Sequence, residues 1–249
     1  MTVYSSDKSA SVASESRSEP HEYASPPCFL HEMDPDYGGD LLADAQTPRS
    51  SCAEDIRRWR AGQRKRLRAR REQLSADARA DASSRIIGEL HASRLTEGHE
   101  CIGLYWPLPG EIDLRPLAHP WVKQGIEVAL PVIEEPGRPL TFWAWRPDMR
   151  MTEDGPWSIP RPCSRRRVEP TLLLVPMIGF DRGLHRLGNG GGYYDRTLAA
   201  MQPRPVAVGI CHEFGHMPTV YPQAHDFRMD AVVTESDNQM DDHQSGNPP

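Results

Sequence analysis

Between two stretches of regular pattern lies Gly188-Asn189-Gly190-Gly191-Gly192, and this turn limits the fold more than any other feature of the chain. Ahead of it, Leu172-Leu173-Leu174-Val175-Pro176 reads as a buried strand. After it, the chain from Tyr194 to Met201 reads as a helix. Strand, glycine turn and helix together present backbone N–H groups and a helix N-terminus to an anion. Glycine reaches φ > 0 and lets a ligand come close to the backbone. Arg186 and Arg196 flank the turn and add positive charge. The common phosphate motifs do not match. G-x-G-x-x-G fails because Tyr193 stands where its third glycine belongs, and the Walker A pattern fails because Asn189-Gly190 replaces its Lys-Ser/Thr. A plain surface loop is the alternative, but such a loop has no need of two tyrosines and flanking arginines.

The 249 residues suffice for one large domain or two small ones. Only 38% of them are hydrophobic, and the shortfall lies at the ends. Residues 1–50 are acidic and rich in Ser and Pro; they cannot bury enough surface to offset their ordering entropy, so an extension without stable structure is expected there. Residues 236–249 read the same way, which leaves 51–235 as the folded domain. The N-terminus lacks the apolar region of a signal peptide, and no window approaches a membrane span. Five cysteines, none in a C-x-x-C, predict a reduced, cytoplasmic protein.

The net charge of -6 hides an asymmetry, because residues 57–71 are strongly basic. They sit in a run of good helix formers from 53 to 73. Arg60, Arg64 and Arg68 fall on one face, where they can meet a polyphosphate or a nucleic-acid backbone, or stand as a solvated row. Leu67 and Leu74 are seven apart, but Asp81 and Gly88 follow, so no leucine zipper continues the helix.

Ser75 predicts an N-cap and a second helix to about residue 92. Residues 101–107 read as a buried strand, 113–124 as a helix, 126–133 as a strand and 140–145 as an alternating strand at an edge. Residues 146–170 read as a long loop, in which Trp157 is either a hydrophobic plug or a flat surface for a heteroaromatic ligand. Strands at 205–211 and 230–234 complete an alternation of apolar strands and helices, which argues a mostly parallel sheet covered on both faces. Glu111 lies just past the first strand, at the edge where such sheets bind ligands.

His212-Glu213-Phe214-Gly215-His216 matches the zinc-protease pattern H-E-x-x-H. That chemistry needs both histidines on one continuous helix, and Gly215 and Pro218 argue against one. Asp195 and Asp226 are better candidates for a cation: Mg²⁺ sits between a few carboxylates and substrate phosphates.

Taken together, these pieces resemble the 5-formyltetrahydrofolate cyclo-ligase family over roughly residues 57–235. The most specific part is Val175-Pro176-Met177-Ile178-Gly179-Phe180-Asp181 followed by Arg186-Leu187-Gly188, Gly190, Gly192 and Tyr193-Tyr194-Asp195. The basic helix, Gly110-Glu111-Ile112, Trp157-Ser158-Ile159-Pro160 and His225-Asp226 follow the family's order. The resemblance implies a three-layer Rossmann-like α/β sandwich, akin to that of sugar-phosphate isomerases. It implies a monomer that binds neither nucleic acid nor membrane, and uses ATP and Mg²⁺ to cyclise 5-formyltetrahydrofolate to the 5,10-methenyl form. ATP would phosphorylate the formyl oxygen, N10 would attack, and phosphate would leave.

By the same resemblance, Arg60 and Arg64 contact ATP phosphates. Tyr105 or Trp106, Glu111 and Trp157 contact the folate. Arg186, Leu187, Gly188, Asn189, Gly190, Gly191, Gly192, Tyr193 and Tyr194 form a loop shared by both ligands. Asp195 and Asp226 hold Mg²⁺, and Arg186, Tyr193 and Asp195 are the catalytic set. Asn189 and Gly191 depart from the family, which often has basic or bulkier residues there, so weaker phosphate affinity is expected. A sugar-phosphate isomerase and a nucleic-acid-binding regulator built on 57–71 are the rival readings.

Overall fold

The computed structural model describes residues 52–153 and 158–236, together with the backbone of 238–240. The expected N-terminal extension, the end of the C-terminal tail and Trp157 lie outside the described residues.

Helix α1 spans Ala53–Glu72, with Glu54 and Asp55 in its first turn and Arg70 and Arg71 in its last, as the helix dipole favours. Helix α2 spans Ala76–Ala92. Its cap forms as expected: the Ser75 hydroxyl accepts from the Ala78 N–H at 3.1 Å. Ala82, Ile86 and Leu90 repeat every four residues and form its buried stripe.

Strand β1, Cys101–Gly103, is shorter than the run 101–107 suggested. Pro107 and Pro109 lack N–H donors, so the chain leaves the ladder and loops over the sheet edge. The helix expected at 113–124 is a 3₁₀ turn, Arg115–Leu117, followed by α3, Ala118–Lys123. Pro116 and Pro120 explain this, since each is tolerated only in a first helical turn.

Next come β2 (Glu127–Val132), β3 (Thr141–Ala144), β4 (Met151–Thr152), β5 (Arg161–Pro162), β6 (Arg167–Val168) and β7 (Leu172–Pro176). The expected edge strand is thus β3, but β6 from the long loop covers it. The hairpin β8 (Gly179–Asp181) and β9 (Arg186–Leu187) follows, then α4 (Tyr193–Ala200), β10 (Val206–Ile210), β11 (His216–Met217), β12 (Ala231–Val233) and β13 (Asn238–Met240). The main sheet runs β13-β12-β10-β7-β1-β2-β3-β6, with β12, β10, β7, β1 and β2 parallel and both margins antiparallel. Strand β13 carries the sheet past the expected boundary at residue 235.

The period of two sorts the strand residues to two cores. Leu172, Leu174, Val208, Ile210, Ala231 and Val233 pack with α2 and α3 on one face. Leu173, Val175, Ala207 and Val232 pack with Leu198 of α4 on the other. Each fully buried Leu or Ile contributes about 2 kcal/mol of transfer free energy. This is the α/β sandwich with a mostly parallel sheet that the alternation predicted.

One local expectation needs correction. Strand β7 does not feed the glycine turn directly; the β8–β9 hairpin intervenes and pairs with β11 in a small second sheet. The hairpin turns at Asp181, whose Oδ1 accepts from the His185 N–H at 3.1 Å. Leu67 of α1 packs on this sheet against Ile178, Leu187, Met217 and Val220, which holds α1 over the glycine turn. The H-E-x-x-H run forms only a 3₁₀ turn, Glu213–Gly215. His212 faces the Gly110 carbonyl while His216 stacks on Phe180, so the two imidazoles serve different neighbours. No helix among the described residues is long and apolar enough to cross a membrane.

Candidate active site

The carboxyl ends of β1, β2 and β7 open onto a cavity of about 430 Å³. Its other walls are α1, the glycine turn and the start of α4. Every described residue of the expected site lines it. Trp157 lies outside the described residues, but Ile159 and Arg161 from its loop reach the wall.

The basic row of α1 faces inward. Arg60 donates from Nε to Val220 O and from a terminal nitrogen to Tyr221 O, both at 2.9 Å. It also pairs with Asp226 at 2.5 Å. Arg64 donates to Gly188 O at 2.9 Å and Arg68 to Asn189 O at 3.1 Å. Arg71 continues the row one turn further, donating to Met177 O at 3.0 Å and facing Glu111 at 3.7 Å. A guanidinium presents a rigid fork of donors and no acceptor, so it suits a cluster of carbonyl oxygens. Two of these arginines thus hold the glycine turn by its own carbonyls.

Glu111 is buried and accepts from Leu108 N–H at 3.0 Å and from the Asn189 amide at 3.4 Å. Asn189 therefore bridges Glu111 and Arg68 across the turn. Gly190 has φ 103° and Gly192 φ 63°, backbone states that side chains resist. At Gly191 a Cβ would lie 2.9 Å from the Tyr193 ring, so the glycine makes room for that tyrosine. Arg196 stands over that ring at 4.8 Å and donates to Gly191 O at 2.7 Å. No side chain caps α4, whose N-cap is Gly192. Its first-turn amides are the kind of donors an anion takes.

Both candidate metal carboxylates are paired with arginine. Asp195 accepts from Arg186 at 2.5 Å and from Phe227 N–H at 3.0 Å. Asp226 accepts from Arg60 and from Gln223 N–H at 2.7 Å. Burial pushes the Asp226 carboxyl up, but the Arg60 hydrogen bond, the Gln223 N–H and the charges of Arg60 and His225 outweigh it and hold the group below the usual carboxylate range. Tyr194 shows the opposite balance: burial, with the Glu111 charge added, drives its hydroxyl well above the ordinary phenol range and keeps it protonated. Among the described residues, that buried hydroxyl has no hydrogen-bond partner.

The model of the 5-formyltetrahydrofolate cyclo-ligase family matches residues 56–235. The chain belongs to that family. The Haemophilus influenzae 5-formyltetrahydrofolate cyclo-ligase is 33% identical over 142 residues, covering 52% of this chain and 75% of the relative. The Escherichia coli cyclo-ligase is 26% identical over 176 residues, covering 68% and 97%. Among solved structures, the Aquifex aeolicus 5,10-methenyltetrahydrofolate synthetase is 28% identical with a TM-score of 0.65, covering 76% of this chain and 95% of that one.

Within this cyclo-ligase domain, the tertiary structure adds residues that the sequence did not single out. Arg71 was legible only as a further step of the α1 row. The backbone of Val220, Tyr221 and Phe227 had no signal at all, because carbonyls and N–H groups carry no sequence identity. The roles expected for Arg60 and Asp226 also meet an unforeseen fact: the two bind one another across 166 residues of chain.

Proposed function

We propose that this cavity carries out the ATP-dependent closure of 5-formyltetrahydrofolate to 5,10-methenyltetrahydrofolate, with release of ADP and phosphate. One observation carries this: a cationic glycine turn and helix start share one cavity with an apolar, aromatic wall of Trp106, Pro131, Val132, Ile133 and Ile159. The first suits a polyphosphate and the second a flat pterin. Arg64, Arg186 and the first-turn amides of α4 neutralise phosphate charge, while the Tyr194 hydroxyl donates to a ligand acceptor. Glu111 and Asn189 keep the turn in register with the folate wall.

The donor set also fits Mg²⁺. Asp195 and Asp226 line the same cavity, and a carboxylate offers about four lone-pair sites, more than their arginines and N–H groups occupy. Among the described residues no cluster of three His, Cys, Asp or Glu exists, so an ion carried in with nucleotide phosphates is the better match. When bound, Mg²⁺ lowers the charge of the transferred phosphoryl group. Positioning and charge neutralisation then suffice, and no general-base histidine is required. The domain acts as a cytoplasmic monomer, with the segment 1–50 outside the catalytic unit.

The nucleic-acid rival loses support because Arg60, Arg64, Arg68 and Arg71 turn toward the protein. In an assay with ATP, Mg²⁺ and 5-formyltetrahydrofolate, the methenyl absorbance is expected to rise, and a folded protein that leaves it flat overturns the proposal. Asp195→Asn should lower kcat by about 10² or more while shifting Tm by only a few degrees. A matched loss of both would make Asp195 purely structural.

A further inference from the structure

The H-E-x-x-H run forms no helix, yet its first histidine is only 2% exposed. A buried imidazole needs partners for its ring nitrogens. Strands β10 and β12 are parallel with Ile210 opposite Val233, so two residues further on His212 comes beside Glu235. Nδ1 stands 3.7 Å from the Glu235 carboxylate. Nε2 lies 3.1 Å from the carbonyl of Gly110, which is 102 residues away in the chain. A carbonyl only accepts, so Nε2 is a donor.

The ring is held on its face as well. It stacks on Phe214 at 5.0 Å, 8° from parallel, and Arg70 lies 4.5 Å over Phe214. Glu235 accepts from the Glu213 N–H at 2.9 Å. Burial pushes the Glu235 carboxyl up, but the His212 imidazole and the N–H groups of Glu235 and Glu213 outweigh it and hold the group below the usual carboxylate range.

The bond from Nε2 falls on the turn that carries Glu111. Gly110 has φ 78°, and a Cβ there would lie 3.1 Å from the Cβ of Arg71. The turn is thus set between the end of α1 and the His212 ring. Its own bonds, Glu111 N–H to Leu108 O at 2.9 Å and Leu108 N–H to the Glu111 carboxylate at 3.0 Å, move with it. His212 ties it instead to the sheet. Gly110 O and the Glu111 N–H belong to one planar peptide, so a shift of one carries the other. The Glu111 carboxylate lines the cavity and accepts from Asn189 of the glycine turn.

We propose that His212, oriented by Glu235, is a positioning residue for Glu111 and sets where that carboxylate stands against the folate. The inference rests on the folate occupancy argued under Proposed function. Without the donor, the Gly110 carbonyl seeks another partner, and the peptide that leads into Glu111 turns with it.

The test is a double-mutant cycle read by equilibrium binding of 5-formyltetrahydrofolate without ATP. His212→Leu should weaken folate binding about tenfold, while KM for ATP changes by less than about threefold. His212→Gln, whose amide can donate to Gly110 O, should restore most of the affinity. In a Glu111→Gln background, His212→Leu should cost less than about twofold more, because the group it positions is already gone. If His212→Leu does not fold, Glu235→Gln enters the same cycle, with a loss of about threefold that vanishes beside Glu111→Gln. Losses that multiply in the double variant overturn the proposal, as does a Gln variant no better than Leu or an equal loss of ATP affinity. A wild type that binds no 5-formyltetrahydrofolate overturns it together with the reading on which it rests. Folate binding with the expected cycle but no turnover counts against the reaction and not against His212.

Discussion

Arg71 in α1 and Arg167 in β6 carry the same side chain and each faces one glutamate, yet they live under different physics. The Arg71–Glu111 side chains are 5% and 3% exposed. Those of Arg167 and Glu134 are 69% and 27% exposed. In the first pair water has been removed, so either charge left alone would be costly. In the second, solvent screens the attraction and the ordering of two long side chains offsets most of it. The inward row of α1 therefore both props the glycine turn and lines the cavity, whereas the rim pair stays solvated.

Breaking the buried pair should have the largest effect. Arg71→Met leaves Glu111 buried without its cation and is expected to lower unfolding free energy by about 3–5 kcal/mol. Adding Glu111→Gln should recover part of that loss. Urea unfolding of the two variants reads the difference, and a single variant as stable as wild type would remove the distinction drawn between the two regions.

A middle case sharpens the contrast. The folded-state pKa of Asp226 lies below its unfolded value. Its contribution to stability is thus complete above the ordinary carboxylate range and fades as pH falls through the folded value. Asp226→Asn should weaken the protein at neutral pH and flatten the acid limb of its stability profile below about pH 4. Unfolding midpoints at pH 6 and pH 3 provide the comparison; an unchanged slope would mean Arg60 holds the loop through Val220 and Tyr221 alone. The smallest effect is expected at the rim, where Arg167→Ala should change stability by no more than about 0.5 kcal/mol. A loss several times larger in a thermal melt would show that β6 depends on this pair.

Much of this was legible in advance because it is local. The Ser75 cap and the apolar runs of β7, β10 and β12 act within a few residues of themselves, whereas the shortening of β1 and α3 was not foreseen although Pro107, Pro109, Pro116 and Pro120 stand in the chain. The glycine turn of the candidate site was legible for a similar reason. Gly190 and Gly192 need left-handed backbone, and that need is written into the residue type. The β8–β9 hairpin was missed because Asp181-Arg182-Gly183 looked like an approach to the glycine turn, not a turn of its own.

Local patterning in the chain determined which segments become strands and helices, and where a glycine turn separates them. Only the tertiary structure decided that the α1 arginines face inward and that Arg60 meets Asp226. Periodicity records which side of an element is apolar, whereas the partner of a charged group depends on how distant segments are brought together. A guanidinium reads the same in sequence whether its neighbour is water, a backbone carbonyl or a carboxylate, and packing alone makes that choice.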